Sequence, residues 1–409
     1  MDEQELIRRG QEYFAQKQFS EALACVKQLQ ALGRTDELLQ AVEAECLFNL
    51  MRAPEAAAIM RALLAVEPGN FNYQIKLAHY LRYIGEFDES ERLARQVPRG
   101  TPGLAYLTGW HMLRHGDTAH GFTELEPEIG IYRIDASHAL PIEKKYIKGM
   151  LLEGKRVLLA LEGGFGDELA YARFAPWLEK HGATVIVGAH QRLVPLIARM
   201  SGMKDVRAIK TINPDEYDYY IPAMSMIPLF AIRDPLVGME FPTFAPLKEE
   251  VKKWEPKITE VANGRVKIGI HWQGNWAFDY LERKSPPAQE ILKLNEVGQL
   301  YSLQRDAGNN TLPKDAPVYD TEAGLPSWES TASVMSLMDY IVTNDTSTAH
   351  LAGNLGKKTL VLLPHAPHHY WLPLDSAPWY PNMVALRQPR YGDWVGAVHH
   401  ACTYIRNDR

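Results

Sequence analysis

The sequence has little cysteine. Its 409 residues include only three, Cys25, Cys46 and Cys402, which stand far apart and form no CxxC pair. Disulfide frameworks and structural zinc sites both need cysteines at short, regular spacings. We therefore expect neither. The N-terminal stretch MDEQELIRRGQEYF also lacks the apolar core of a secretory signal, so we expect a cytoplasmic location.

Three further features are missing. The formal net charge is −6 and the pI is about 6.2, so there is no excess of positive charge to neutralise phosphates, and we expect no nucleic-acid partner. No run of about twenty apolar residues occurs, and therefore no transmembrane segment is expected. No D-x-D sequence occurs either, so a diphosphate held through a metal ion would have no obvious ligands. We expect no metal and no cofactor.

The first third of the chain has a helical pattern with regularly spaced small residues. Gly10, Ala44 and Ala78 are each 34 positions apart, and Ala22 and Ala56 repeat the same step twelve residues later. This spacing resembles tetratricopeptide repeats, whose helix pairs stack because one pair alone cannot bury its apolar face. We predict an all-α repeat domain that recognises a protein partner or mediates assembly. A non-repetitive helical domain is the alternative.

The pattern changes near Lys155. The segment KRVLLALEGGFGDELAYARFAPWLEKHGATVIVGA contains a strand, a glycine-rich loop, a helix and a second strand, which together make one βαβ unit. The segment GRVKIGIHWQGN starts a similar pattern in the last third. The predicted fold is α/β, with two Rossmann-like domains that face each other across a cleft after the helical repeats. The expected bounds are 1–125 for the repeats, 126–150 for a linker, 151–257 for the first Rossmann-like domain and 258–409 for the second, which ends in a closing helix.

Hydroxyl side chains directly follow the strand pattern DYIVTN, at Thr346, Ser347 and Thr348. A helix that begins here leaves its first backbone N–H groups without partners inside the helix. Those groups, with the positive end of the helix dipole, form a site for an anion. Ordinary helix capping is the alternative, because Asp, Ser and Thr are favoured at the N-cap of any helix.

A glycine-rich loop, EGGFGDELAYAR, follows the first strand of the first Rossmann-like domain. Gly163, Gly164 and Gly166 allow the backbone to turn tightly and to approach a substrate. Asp167 then falls in the first turn of the next helix, beside the carboxyl end of the strand. Helix capping is again the alternative. The spacing is GGxGD and not GxGxxG, so a dinucleotide site is poorly supported.

The third loop, HWQGNWAFDYLERKSPP, carries Arg283 and Lys284 after the first strand of the second Rossmann-like domain. Positive side chains at a strand end suit a diphosphate, and a solvated loop charge is the alternative. Ligands of open α/β sheets bind outside the carboxyl ends of the strands. A carboxylate on one sheet and an anion site on the other therefore predict a sugar-nucleotide transferase.

These loops, together with the segments LYSLQ and PWYPNMVALRQPRYGDW, resemble a known family. They look like bacterial tetratricopeptide-repeat proteins whose glycosyltransferase module is similar to the ADP-heptose:lipopolysaccharide heptosyltransferases of glycosyltransferase family nine. The resemblance covers about residues 150 to 400. It implies an inverting, metal-independent transfer in a GT-B fold, with the acceptor on the first Rossmann-like domain and the nucleotide-sugar donor on the second.

The resemblance also implies roles for single residues. Asp167 falls on the position of the family's proposed catalytic base, and the three hydroxyl residues fall on its diphosphate-binding helix start. Asp345 matches an acidic residue that holds the donor sugar. Either Lys284 or Arg283 matches the cation that binds the phosphates.

Two more side chains are expected near the donor. Gln304 closes a strand, and His365 belongs to the turn PHAPHHYWLP, which follows another strand. The expected partners are a nucleotide-sugar, a protein or glycan acceptor, and a protein bound by the repeats. Two other functions are possible on this sequence. One is a non-catalytic repeat scaffold with a degenerate glycosyltransferase module. The other is a nucleotide-sugar epimerase, which needs a glutamate and histidine pair that the sequence does not place.

Overall fold

The structure is a computed structural model, and it describes residues 2–129, 139–237, 239–274, 284–305, 310–321 and 325–408. Between residues 2 and 129 the chain forms eight helices, each in contact with the next. Their bounds are α1 Glu3–Ala15, α2 Phe19–Ala31, α3 Glu37–Asn49, α4 Ala53–Val66, α5 Phe71–Ile84, α6 Phe87–Arg95, α7 Leu104–Arg114 and α8 Thr118–Ile129. Across the described ranges, no helix has the length and apolar character needed to cross a bilayer.

Small residues lie buried where these helices meet. Ala22, Ala44, Ala56 and Ala78, the alanines of the 34-residue spacing, are at most 1% exposed. Small side chains at such positions let neighbouring helices approach closely, which is the packing that the spacing predicts. The expected N-terminal helical region is therefore confirmed, and its identity as tetratricopeptide repeats stays a prediction. Helix α8 continues through the expected boundary at residue 125.

The first sheet has four parallel strands in the order β3-β2-β1-β4. The strands are β1 Arg156–Ala160, β2 Thr184–Ala189, β3 Val206–Ala208 and β4 Tyr219–Pro222. The helices that follow them are α9 Phe165–Tyr171, α10 Phe174–Lys180, α11 Val194–Ile197 and α12 Met226–Phe230. Strand β1 is apolar and buried from Val157 to its end, as expected for a strand covered on both faces.

The second sheet has six parallel strands in the order β10-β9-β8-β5-β6-β7. The strands are β5 Lys267–His271, β6 Gln299–Ser302, β7 Val318–Asp320, β8 Tyr340–Asn344, β9 Thr359–Leu363 and β10 Met383–Arg387. Its helices are α13 Lys248–Ala262, α14 Ala288–Ile291, α15 Trp328–Ser336, α16 Ser347–Asn354 and α17 Trp394–Asn407. The hydroxyl of Tyr301 in β6 donates to the carbonyl oxygen of Ile258 at 2.7 Å, so α13 packs on this sheet, and the expected boundary after residue 257 lies inside that helix.

In both sheets the strand order reverses beside the first strand of that sheet. Strands β2 and β3 lie on one side of β1, and β4 lies on the other. In the second sheet, β6 and β7 lie on one side of β5, and β8, β9 and β10 lie on the other. Ligands of doubly wound sheets bind at this reversal point, outside the carboxyl ends of the strands. The expected parallel α/β architecture is confirmed, and the loops after β1, β5 and β8 occupy the reversal points.

Candidate active site

The three predicted loops are the ones that leave the reversal points. Asp167 lies in the first turn of α9 after β1, Lys284 lies beyond β5, and Thr346 is the N-cap of α16 after β8. Helices α9 and α16 belong to different sheets and pack directly against each other. The side-chain amide of Asn354 in α16 donates to the carbonyl oxygen of Leu169 in α9 at 3.1 Å. The structure therefore brings the predicted base and the predicted anion site to one place.

Gly166 sets how closely the two helices approach. A Cβ atom at this position would lie 3.3 Å from Cα of Ser347 and 2.9 Å from Cδ2 of His350. The first turn of α9 thus touches the first turn of α16 through a residue without a side chain. Asp167 follows Gly166 directly, so its carboxylate lies beside this contact between the helices.

The carboxylate of Asp167 accepts two hydrogen bonds. Its Oδ2 accepts from the backbone N–H of Gly164 at 2.7 Å, and its Oδ1 accepts from the hydroxyl of Tyr370 at 2.6 Å. The residue keeps some contact with solvent, but the protein atoms packed around the carboxylate raise its pKa above the ordinary value. The two hydrogen bonds and Lys284 oppose this rise, and the negative charge of Asp345 adds to it. A raised pKa brings a carboxylate closer to the range in which general bases work.

The glycine loop is shaped around this carboxylate. Gly163 has a φ of +82°, and a Cβ atom there would lie 2.5 Å from Oδ2 of Asp167. Glycine is therefore required at this position both for its backbone conformation and for space. A Cβ atom at Gly164 would make only an ordinary contact with the same oxygen, at 3.5 Å. The capping interaction that was the alternative interpretation is present, because Asp167 accepts from the backbone N–H of Gly164, the N-cap residue of its own helix.

The hydroxyl groups at the start of α16 behave differently. Within the described chain, the Thr346 side chain accepts no hydrogen bond from the first backbone N–H groups of the helix. Its Oγ1 lies 3.4 Å from Nδ1 of His271 and 3.5 Å from Oγ1 of Thr343, which are long contacts for hydrogen bonds. Ser347 is half-buried beside it, and Thr348 is buried. This helix start is therefore not capped by the side chain that precedes it.

Lys284 and Asp345 lie close to Asp167. The charges of both residues act on the pKa of Asp167, in opposite directions. The side-chain amide of Asn344 at the end of β8 donates to the carbonyl oxygen of Lys284 at 3.2 Å, which ties the loop after β5 to the loop after β8. Arg283, the other predicted cation, falls outside the described residues.

Two histidines beside the helix start are neutral. His271, the last residue of β5, has its Nδ1 at 3.3 Å from Oδ1 of Asn344, and burial lowers its pKa to about 4. His350 in α16 lies 3.1 Å from the hydroxyl of Tyr380 through its Nδ1, and burial lowers its pKa to about 4 as well. Both imidazoles carry no charge at neutral pH, whereas the charge of Lys284 acts to lower the pKa of Asp167.

The structure places Gln304 and His365 in other surroundings. The side chain of Gln304 is buried, accepts from the backbone N–H groups of Trp272 and Gln273, and donates to the carbonyl oxygen of Gln273 at 2.9 Å. It joins the loop after β6 to the loop after β5. His365 packs against the helical region, where its ring stacks on Phe87 at 5.7 Å. That location differs from the donor contact that the sequence predicts for His365.

Sequence reasoning missed two residues of this site. Tyr370 lies 203 residues from Asp167 along the chain, and only the fold brings its hydroxyl to the carboxylate. Glu168 is buried beside Asp167 and accepts from the backbone N–H of His190 at 2.9 Å, and burial raises its pKa to about 7. Its position next to the predicted base was the one available signal. Tyr370 belongs to the turn PHAPHHYWLP, which the sequence placed near the donor, but no signal in the sequence connects it with Asp167.

No protein-family model matches the chain. The protein FlbA of Caulobacter vibrioides is 21% identical over 445 residues, which cover 92% of this chain and 74% of FlbA. The ADP-heptose lps heptosyltransferase II of E. coli matches 62% of this chain and 99% of its own, with a TM-score of 0.45 and 13% identity. A Thermobaculum terrenum O-GlcNAc transferase mutant matches 99% of this chain and 91% of its own, with a TM-score of 0.29 and 10% identity. These likenesses are too distant to assign the chain to a family.

Proposed function

We propose that the protein is an inverting, metal-independent glycosyltransferase that moves a sugar from a nucleotide-sugar to a protein or glycan acceptor. The observation that carries the proposal is the contact between α9 and α16 at the reversal points of the two sheets. It sets a carboxylate with a raised pKa beside a helix start that has hydroxyl groups and no side-chain cap. The GT-B fold and a first domain for the acceptor and a second for the donor are part of this proposal.

The reaction is a single displacement. Asp167 accepts the proton of an acceptor hydroxyl or amide as the acceptor atom attacks the anomeric carbon of the donor. The bond between that carbon and the diphosphate breaks at the same time, and the nucleoside diphosphate leaves with the electron pair. General-base assistance of this kind contributes on the order of 10²–10⁴-fold to the rate.

The leaving diphosphate is stabilised by the beginning of α16. The backbone N–H groups and hydroxyls of Ser347 and Thr348 and the hydroxyl of Thr346 are donors for its oxygens, and the helix dipole favours its charge. Lys284, whose charge acts on Asp167, is assigned to the same diphosphate. Asp345 is assigned to the hydroxyl groups of the donor sugar. The helical region is assigned to a protein partner or to assembly.

The test measures binding and transfer separately. The wild type, Asp167→Asn and the surface control Asp215→Asn are titrated with ADP, UDP, GDP and CDP and with sugar nucleotides that carry these groups. A nucleotide present at about 100 times its dissociation constant should add roughly 2.7 kcal/mol to the free energy of unfolding. Release of the nucleoside diphosphate is then followed with an extract of the source cells as the supply of acceptor.

Asp167→Asn should bind the nucleotide like the wild type and lose about 10²–10⁴-fold in turnover. Asp215→Asn, which changes an exposed carboxylate in the connection between β3 and β4, should keep both properties. Undiminished turnover by Asp167→Asn would remove Asp167 from the mechanism. Failure of the wild type to bind any nucleotide would favour the non-catalytic scaffold.

A further inference from the structure

One hydrogen bond joins the base to the opposite sheet. Asp167 belongs to the first sheet, and the Tyr370 hydroxyl that donates to it at 2.6 Å belongs to the turn after β9 of the second sheet. Tyr370 is 2% exposed, so its ring has little freedom to move. Burial raises the pKa of Tyr370 well above its ordinary value, and its hydroxyl therefore stays a donor.

The turn that carries Tyr370 is held by the helical region. The indole N–H of Trp110 in α7 donates to the carbonyl oxygen of Pro367 at 2.9 Å. The ring of Phe122 in α8 meets His369 edge-on, with a centroid distance of 5.4 Å. The turn is therefore fixed on one side by the helical region and bonded on the other side to Asp167.

The ring of His365 extends this contact to the preceding helix pair. It stacks on Phe87 with an interplanar angle of 15°. Gly85, which ends α5 with a φ of +92°, leaves room for the same ring where a Cβ atom would otherwise lie. The α5–α6 connection and helices α6, α7 and α8 thus contact one short turn.

We infer that Tyr370 is a positioning residue that orients the Asp167 carboxylate for proton acceptance, and that the helical region sets this position through the turn after β9. The inference rests on the proposed function for the role of Asp167. The Tyr370 hydroxyl bonds Oδ1 and the Gly164 N–H bonds Oδ2. Together the two bonds fix the direction of the remaining lone pairs of the carboxylate. If a partner that binds the helical region shifts the turn, the orientation of the Asp167 carboxylate changes although the partner does not contact the substrate.

The first test replaces Tyr370→Phe and follows the ionisation of Asp167 directly. Aspartate labelled with ¹³C at the side-chain carboxyl is titrated by NMR, and Asp167→Asn identifies the signal. The other ionisable groups that act on this carboxylate, or on which it acts, are Asp345, Lys284, Glu168, Tyr171 and Tyr380. All of them are retained, so the change isolates the tyrosine hydroxyl. A lost donor to the charged form should move the pKa of Asp167 upward.

The control variant is Tyr301→Phe. It removes a buried hydroxyl with a bond of 2.7 Å from the same sheet, at a place where Asp167 is not involved. It should leave the pKa of Asp167 where it is. Trp110→Phe removes the N–H donor to Pro367 and should move the pKa of Asp167 in the same direction as Tyr370→Phe, but less. This second variant tests the contribution of the helical region even if Tyr370→Phe folds poorly.

Turnover gives a second measurement. Tyr370→Phe should lower kcat about 10- to 100-fold with unchanged nucleotide affinity, because a misplaced base costs this much without affecting the donor site. An unchanged pKa of Asp167 in Tyr370→Phe would overturn the positioning role of Tyr370. An unchanged pKa of Asp167 in Trp110→Phe would overturn the inference that the helical region sets the position of the turn. These outcomes are separate from the proposed function, which fails if Asp167→Asn itself keeps full turnover.

Discussion

The first turns of α9 and α16 look alike in the sequence and differ in the structure. Each follows a buried strand at a reversal point, and each places polar side chains where the helix begins. In α9 the polar side chain is used by the protein, since Asp167 bonds Gly164 and Tyr370. In α16 the Thr346 hydroxyl makes no capping bond within the described chain. The start of α16 therefore differs from that of α9 in leaving its first backbone N–H groups without a bond from the N-cap side chain.

The largest effect expected on stability comes from the charge of Glu168 in α9, and it tests this comparison of the two helix starts. Burial raises the pKa of Glu168 from 4.5 to about 7. The folded state therefore holds its proton more tightly than the unfolded state, and stability falls as pH rises from about 4.5 to about 7. Glu168→Gln keeps an acceptor for the N–H of His190 and removes the charge. It should be more stable than the wild type at pH 8, by about 3 kcal/mol at most, and similar at pH 4.

Urea unfolding at pH 4 and pH 8 measures this difference. Glu255→Gln, which changes an exposed glutamate on α13, is the control and should show no gain at either pH. A loss of stability of Glu168→Gln at pH 8 would mean that an ionised carboxylate is favoured at this position. The contrast between an α9 whose first turn is destabilised by an ionised carboxylate and an α16 whose N-cap side chain makes no capping bond would then be wrong.

A second variant tests the direct contact between the two helix starts by pushing them apart. Gly166→Ala places a methyl group 2.9 Å from His350 and 3.3 Å from Ser347. Overpacking of this kind costs about 1–3 kcal/mol, and the better helix propensity of alanine returns up to about 1 kcal/mol. We expect a net loss of about 1–2 kcal/mol and weaker nucleotide binding, measured by urea unfolding and calorimetry.

Gly69→Ala is the matched change for this experiment, because a Cβ atom there meets nothing within 4 Å. It should keep the stability of the wild type or gain slightly. If Gly166→Ala behaved like Gly69→Ala in both measurements, the direct contact between α9 and α16 would not control the donor site.

Most of the architecture could be predicted from the sequence, because it depends on local patterns. The apolar strand of β1, its glycine loop and the small-residue spacing of the helical region are each read from neighbouring residues. Reversal points follow from strand order, which a single sequence does not state. The parallel sheets and the N-terminal helices are confirmed. The identity of the repeats and the GT-B relationship are interpretations that no local pattern decides.

Residues of the candidate site were predictable only where the sequence of a single loop was sufficient to locate them. Asp167 follows β1 after the glycine loop and Thr346 follows β8, and the pattern predicted both positions. Tyr370 could not be found, since its role depends on a contact across 203 residues and two sheets. His365 stands directly after β9, yet the helical region covers it. Position after a strand does not show which neighbour a side chain will meet.

The smallest expected effect tests the difference between capping and ligand binding most directly. Ser327 and Thr346 are N-caps with nearly the same extended backbone, at φ −140° and −148°. Ser327 accepts from the N–H of Ser330 at 3.1 Å, so Ser327→Ala should cost about 1 kcal/mol in the free energy of unfolding. Thr346→Ala removes no capping bond and should cost less than about 0.5 kcal/mol, because the other contacts of its hydroxyl, with His271, Thr343 and the Asn344 carbonyl, are long. Nucleotide affinity should fall for Thr346→Ala alone. Equal losses of stability, with equal nucleotide binding, would mean that Thr346 caps its helix and that the hydroxyl serves the protein and not a diphosphate.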